Sequence, residues 1–494
     1  MLAVLVRRPG YMDTAYYAAG AVRLAQGGGL SEPFLWNYLD NPVGLPRPGF
    51  LYWMPFPSIL AAPFATLFPG SFFALQLPFV LISALLPLVA YGIAWEVTGR
   101  RRTAWLAALL TLFSGFFFPY WNLPETFAPF ALFGSIALWL AGRRPRWRVG
   151  LLVGLLVGLA HLTRADGVLL LPVVALAPLL SRDVQRATRL VIGHWSSIIL
   201  GYLLVMAPWF ARNISVGGAL LSPASAKTLW LTNYDDMFCY GCDLSLRSYL
   251  AWGWSSILSS KLAALWINFQ HLLAENCLVF LLPFVLVGFY RLRRYTAFAI
   301  SIFCLSLFYL LHSLAFTFPG WRGSFFHSSG ATLPFLFVAG VDGLETAVGW
   351  AARRRRWKVR QARAVFTTAA VVAAVILSGY ATTQKLWAWR DADVVYEEVG
   401  QWLAREGGVE GAVMVANPPA FWYHTQYPAV VIPNGDVETL LATANQYNVR
   451  YVLLDQNHPA PLAGLYAGES FHPLLQLVAT WGEGEDRALL YALE

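Results

Sequence analysis

The segment RRPRWRVGLLVGLLVGLAHLTRAD, Arg143 to Asp166, sets the architecture. Arg143, Arg144, Arg146 and Arg148 precede an apolar run at 148–162, and the run ends on a short turn holding Arg164 and Asp166. A run of that length nears what a helix needs to cross a hydrocarbon core about 30 Å thick. The same order of basic loop, apolar run and nearly neutral turn recurs outward in both directions. Apolar runs fall at about 72–97, 103–118, 126–142, 148–162, 166–181, 190–210, 276–291, 296–317, 331–350 and 364–381. The expected fold is therefore mostly α, a polytopic bundle of about ten spans. Gly150, Gly154 and Gly158 form a GxxxGxxxG row. That row reads as a surface for close helix packing, with a substrate groove as the other reading.

Composition agrees with this placement. The chain of 494 residues is 57% hydrophobic and 13% charged, where a soluble protein carries about 25% charged residues. Its 21 Trp suit a protein with many bilayer interfaces. The net charge of +8 is segregated: residues 382–494 hold 5 Lys+Arg against 14 Asp+Glu. The basic excess lies in short loops between apolar runs and not on one face of a polar domain, so nucleic acid is excluded as a partner. Four cysteines are too few for a disulfide framework. Cys239 and Cys242 read as a local disulfide, as free thiols or as half of a zinc set.

The loops orient the chain. Arg100 to Arg102, Arg143 to Arg148, Arg182/Arg186/Arg189, Arg291/Arg293/Arg294 and the run from Arg353 to Arg363 hold 20 of the 35 Lys+Arg. All five fall on one side if each run crosses once, and the positive-inside rule makes that side cytoplasmic. Three regions are expected: an extracytoplasmic first loop with amphipathic helices at 1–71, a membrane domain at 72–381 with an outer loop at 211–275, and a soluble extracytoplasmic domain at 382–494. In the last, helical patterns near 393–406 and 436–447 alternate with apolar strands at 412–416, 430–433, 451–455, 475–480 and 488–493, which predicts an α/β domain. No GxGxxG follows a strand and no GxxxxGKS occurs, so a nucleotide donor has no support.

Candidate chemistry is sought among polar residues on the outer side. Asp13, in Gly10-Tyr-Met-Asp-Thr-Ala-Tyr-Tyr17, reads as a helix N-cap or as a carboxylate that accepts a proton from an attacking hydroxyl. Glu125 reads as a helix-start carboxylate or a second acid. Arg164 with Asp166 reads as a local ion pair or, by its depth, as a functional group. Arg322 reads as a ligand for a lipid phosphate or as a side chain snorkelling to headgroups. Arg47 is a further candidate for phosphate, and Tyr16, Tyr17, Arg212, Asn213 and His327 are candidates for substrate contact. Asp235-Asp236 reads as a solvated acidic loop. The Gly27-Gly28-Gly29 run reads as a helix stop.

The stretch from Asp13 to Leu30 resembles the first outer loop of GT-C fold glycosyltransferases, near family 39 protein mannosyltransferases and the lipid A aminoarabinose transferases. Gly158 to Gly167, Ala207 to Asn213, Gly320 to Gly323 with Leu333-Pro-Phe335, and the tail around Ala442–Leu454 match in the same order. The resemblance covers nearly the whole chain. It implies a polyprenyl-phosphate sugar donor, an outer-face site and a first-loop carboxylate at the transfer centre, which maps to Asp13. Relatives commonly carry a second acid directly after it, and here Thr14 stands there. The family's first span is expected to be missing or cut to Met1–Val6. The function implied is an inverting sugar transfer to an acceptor hydroxyl, in the plasma membrane, with the acceptor class open. No cofactor is required by these residues; a divalent metal is compatible with them. A lipid-linked substrate transporter, or a non-catalytic membrane assembly protein, are the alternatives from other classes.

Overall fold

The computed structural model describes residues 2–40, 42–180, 188–484 and 487–493. The basic loop at Arg182 and Arg186 lies outside the described residues. In chain order the first region holds α1 (Met12–Ala25), three two-residue strands, β1 (Ser31–Glu32), β2 (Phe34–Leu35) and β3 (Arg47–Pro48), and α2 (Phe56–Leu67). The bundle follows with α3 (Phe72–Thr98), α4 (Arg101–Leu112), α5 (Phe127–Ala141), α6 (Trp147–Thr163), α7 (Leu170–Leu180) and α8 (Thr188–Gly217). After α9 (Trp254–His271) come α10 (Leu282–Leu292), α11 (Thr296–Leu314), α12 (Leu333–Arg354) and α13 (Val359–Arg390). All ten expected apolar runs are helical.

Five helical stretches are long and apolar enough to cross a membrane: Phe72–Thr98, Leu190–Gly217, Thr296–Leu314, Thr317–Arg354 and Val359–Arg405. The protein is multi-pass. The other runs give shorter helices: those at Phe127–Ala141 and Trp147–Thr163 fill short runs, and others are interrupted. The second run, expected as one span over 103–118, stops at Leu112, turns at Gly115 with φ 63° and resumes as a 3-10 helix over Gly115–Tyr120. Such breaks need local partners for the freed backbone groups. Ser378 supplies one, its Oγ accepting from Gly115 N at 2.9 Å.

Gly150, Gly154 and Gly158 face α8. A methyl group on Gly154 would overlap the Ile198 carbonyl, and one on Gly158 would lie 2.8 Å from Val205 Cβ. The glycine row is thus a packing surface.

α1 forms from an alanine-rich stretch whose central residues, Thr14 to Ala21, are all buried. It packs through Ala18 and Ala21 on α2, the start of α3 and Trp389 near the end of α13. Ser58 Oγ donates to the Tyr17 carbonyl at 2.9 Å, an approach that Gly20 leaves room for. The helix stops at the glycine triplet, where Gly27 and Gly29 take φ of 77° and 64°.

The tail carries α14 (Val394–Arg405), β4 (Ala412–Val415), α15 (Pro418–Thr425), β5 (Ala429–Val431), α16 (Val437–Gln446), β6 (Val449–Leu454), β7 (Leu475–Trp481) and β8 (Ala488–Leu493). The sheet runs β2-β5-β4-β6-β8-β7. Its first four strands are parallel, and β8 and β7 are antiparallel additions. The edge strand β2 comes from the first loop, with Phe34 opposite Ala429 and Leu35 opposite Val430. Residues 1–71 and 382–494, expected as separate units, therefore share one sheet. A boundary at 381/382 also falls inside α13, which continues to Arg390.

Candidate active site

A cavity of about 440 Å³ opens where α1, the β3–α2 loop, the α6–α7 turn, the 221–237 loop and the segment after α11 meet. Asp13, Tyr17, Arg164, Arg322 and His327 all line it. Five of the ten candidate residues converge there from distant parts of the chain.

Asp13 lies in the first turn of α1, whose N-cap is Tyr11, so it is not the cap. Its carboxylate faces His327, with Oδ2 3.9 Å from Nε2. Glu125 sits just before α5, almost fully buried, with Oε1 3.1 Å from His327 Nδ1. Tyr11 donates its hydroxyl hydrogen to Glu125 Oε2 at 2.7 Å. Thr126 Oγ1 holds His327 Nδ1 at 2.9 Å, and Phe127 stacks on the ring at 3.9 Å between centroids. Asp13, Glu125 and His327 each present one ligand atom within 4.8 Å of the others. Two carboxylate oxygens and an imidazole nitrogen at that spacing suit a divalent cation such as Mn²⁺ or Zn²⁺.

Enclosure disfavours charge here. Burial pushes the Asp13 carboxyl up to about 6, against the opposing pull of Arg164. Burial, reinforced by the neighbouring Asp13 charge, pushes Glu125 well above the usual carboxylate range. Asp13 is thus ionised at neutral pH but titrates just below it.

Arg164 is clamped. Its Nε and Nη2 donate to the two oxygens of Asp166, each at 3.1 Å. Asp166 Oδ2 also meets His312 Nε2 at 3.2 Å and accepts from the Ser328 hydroxyl. Arg164 is therefore an oriented group whose charge is already balanced. Arg322 differs. It is exposed, its guanidinium lies 4.6 Å over the Tyr234 ring, and among the described residues no carboxylate lies within ion-pair distance of it. Trp36 and Trp53, stacked at 4.2 Å, and Tyr52 form an aromatic wall on the other side.

Four candidates serve elsewhere. Arg47 is buried and locked to Asp40 and Glu32 and does not reach the cavity. Tyr16 donates to Glu32 from full burial. Arg212 Nη2 donates to the Leu30 and Gly49 carbonyls at 3.2 and 2.7 Å, and its guanidinium lies 4.9 Å over the Trp209 ring. Asn213 donates to the Leu220 carbonyl at 3.1 Å. Arg47, Tyr16 and Arg212 pin the first loop, and Asn213 ties the start of the 211–275 loop; the guanidinium read as a phosphate ligand, Arg47, is spent on carboxylates. Asp236 is likewise a turn acceptor, taking Thr232 N and Asn233 N at 2.7 and 2.9 Å. Cys239 and Cys242 are joined in a disulfide. His312, Ser328, Tyr52 and Tyr234 were not legible as site residues, although a histidine in the midst of the 296–317 run was a signal.

Residues 48–211 match the family of dolichyl-phosphate-mannose-protein mannosyltransferases. The undecaprenyl phosphate-alpha-4-amino-4-deoxy-L-arabinose arabinosyl transferase of Pseudomonas aeruginosa is 30% identical over 205 residues, which cover 40% of this chain and 35% of that protein. The chain thus spans about a third of the length of the curated relatives it matches. ArnT from Cupriavidus metallidurans bound to undecaprenyl phosphate superposes over 99% of this chain and 95% of its own, with a TM-score of 0.59 and 14% identity. The archaeal oligosaccharyltransferase AglB from Archaeoglobus fulgidus, in complex with an inhibitory peptide and a dolichol-phosphate, gives 0.52 over 100% and 73% at 13% identity. The fold is that of the GT-C integral-membrane glycosyltransferases. Within that class, the fold resembles that of ArnT along nearly the whole chain.

Proposed function

We propose that this protein transfers a sugar from a polyprenyl-phosphate donor to an acceptor hydroxyl, with inversion, at the outer face of the plasma membrane. One observation carries the reading: a single cavity holds Asp13 and His327, with Glu125 behind them, together with Trp36, Tyr52, Trp53 and an Arg322 that has no carboxylate partner among the described residues. The names of the relatives and the lipid phosphates bound by the structural neighbours support the donor class. The positive-inside rule, applied to the basic loops of the sequence, supports the outer placement.

In this reading Asp13 accepts the proton of the attacking hydroxyl while Arg322 neutralises the departing lipid phosphate. Arg164, held in place by Asp166, is an oriented hydrogen-bond donor on the wall of the same cavity as Asp13. Trp36, Tyr52 and Trp53 offer flat apolar faces with polar tips on which a sugar ring can rest. Asp13, Glu125 and His327 would hold a divalent cation, which when bound would offset phosphate charge. Stripping divalent metal from the purified protein is expected to lower transfer, and Mn²⁺ or Mg²⁺ to restore it.

The test is conversion of undecaprenyl-phosphate-linked sugar to free undecaprenyl phosphate by reconstituted protein in the presence of an envelope extract. Wild type should release the carrier lipid and Asp13→Asn should not. An Asp13→Asn protein of full activity would remove Asp13 from the chemistry. Lipid movement across the vesicle without carrier release would replace the transferase reading by a transporter.

A further inference from the structure

Arg322 does not stand on ordinary helix. It belongs to a strap at Gly320–Ser324, where Gly323 takes φ 145°, a conformation that L side chains rarely adopt. Pro319, Arg322, Gly323 and Ser324 line the cavity, whereas the side chain of Trp321 turns away onto Phe318. The strap's backbone is also held from outside the cavity lining, by His271, the last residue of α9. His271 Nε2 is 3.1 Å from the Trp321 carbonyl oxygen, and its Nδ1 is 2.9 Å from Glu275 Oε1. The chain between them is a π-turn over Leu272–Asn276, which brings Glu275 back beside the ring.

The hydrogen-bond chemistry limits the protonation of this pair. A carbonyl only accepts, so Nε2 carries a hydrogen. Nδ1 then either donates a second ring hydrogen to a carboxylate or accepts one from a carboxylic acid. In both descriptions the pair holds one proton between its two groups. Remove that proton and the Nδ1 lone pair faces a carboxylate oxygen. The groups that bear on the pair are few: Lys385 acts on Glu275 from α13, the Tyr120 hydroxyl senses Glu275 from its 3-10 turn, and Arg322 lies on the strap itself. Hydrogen bonding to Glu275 raises the His271 pKa against the pull of burial.

We infer that His271 is a positioning residue: clamped by Glu275, its Nε2–H holds the Trp321 carbonyl and so sets where Arg322 meets an anionic lipid phosphate. The inference rests on the donor reading of Arg322. It adds a pH sensitivity to donor binding that the cavity residues alone do not supply. As pH rises through the raised imidazolium pKa the clamp loosens and donor affinity falls.

The experiment is binding of undecaprenyl phosphate to the purified full chain, from mildly acidic to alkaline pH, compared between variants so that ionisation of the phosphate itself cancels. His271→Ala should bind about tenfold more weakly, the loss of one hydrogen bond to a charged donor, and should lack the alkaline decline of wild type. His271→Gln, whose amide can still donate to Trp321, should recover most of the affinity and stay flat with pH. Should His271→Ala not fold, Glu275→Gln serves: its alkaline limb should move to lower pH. Wild-type affinity and pH profile in His271→Ala, or an unmoved limb in Glu275→Gln, would overturn the clamp. Binding by Arg322→Ala equal to wild type would instead overturn the donor reading beneath it. Equal losses of folded yield in His271→Ala and His271→Gln, with unchanged affinity in the folded fraction, would make His271 merely structural.

Discussion

Asp342 and Glu345 on α12 and Asp13 and Glu125 at the cavity are acids that the fold draws away from water, but their partners differ. Asp342 meets Arg100 at 2.9 Å and Arg291 at 2.7 Å, and Glu345 meets Arg100 at 3.1 Å and the Thr103 hydroxyl at 2.9 Å. Two carboxylates are matched by two guanidinium groups, and the knot joins the start of α4, α10 and α12. At the cavity, Asp13 and Glu125 face each other across a histidine, and Arg322 stands apart. The first arrangement spends its charge on holding helices together; the second keeps charge unspent. Like-signed acids drawn close together cost stability, and such clusters are found where a fold serves a function more often than where it only holds itself together.

This contrast can be broken at several points. The largest effect expected is on Asp13→Asn, which should cut transfer by about 10³-fold, the scale of general-base catalysis. The loss should be in kcat, measured with saturating donor. Arg322→Ala should raise the donor KM by about tenfold or more and leave kcat nearly intact, because it removes one charge-assisted contact to phosphate. Arg100→Ala, at the closed knot, should leave KM unchanged. Replacing Asp342 by Asn should lower thermal stability by about 1–2 kcal/mol, at the low end because both arginines are about half exposed and can turn to solvent. The activity per folded molecule should not change.

The smallest effect is a pH signature. Asp13 titrates near 6 in the fold and near 3.8 when unfolded. Between those values the folded chain binds more protons than the unfolded one, so stability falls as pH rises through that window. Melting curves of wild type should show this decline, and Asp13→Asn should flatten it. The kcat/KM profile should rise over the upper part of the same range as the base becomes ionised.

Much of the fold was legible because membrane solvent leaves a coarse record. The ten apolar runs are helical, and short apolar runs such as that at 451–455 gave the tail strands. Breaks within runs were not legible: the turn at Gly115 depends on Ser378, more than 250 positions away. The sharing of β2 with the tail sheet was equally hidden, since two residues carry no periodicity. Asp13, Arg164, Arg322 and His327 stand out in the sequence because charge is rare in this chain, and the fold brings them to one cavity. The same rule singles out Arg47 and Arg212, which the fold pairs away from that cavity. A lone arginine and a paired one look alike in sequence, and only the fold shows that Asp40 and Glu32 enclose Arg47.

The candidate cavity and the closed knot also offer the most direct trial. A second cavity of about 300 Å³ lies at the closed knot, lined by Val97, Arg100, Arg291, Tyr295 and Asp342. A photoreactive undecaprenyl-phosphate analogue with its label at the phosphate end, irradiated on the purified protein, would report which cavity takes the headgroup. The account predicts cross-linked peptides from the Arg164–Leu169 turn and the Pro319–Ser324 strap, lost in Arg322→Ala. Cross-links concentrated on Val97–Arg100 and Arg291–Tyr295 would contradict it.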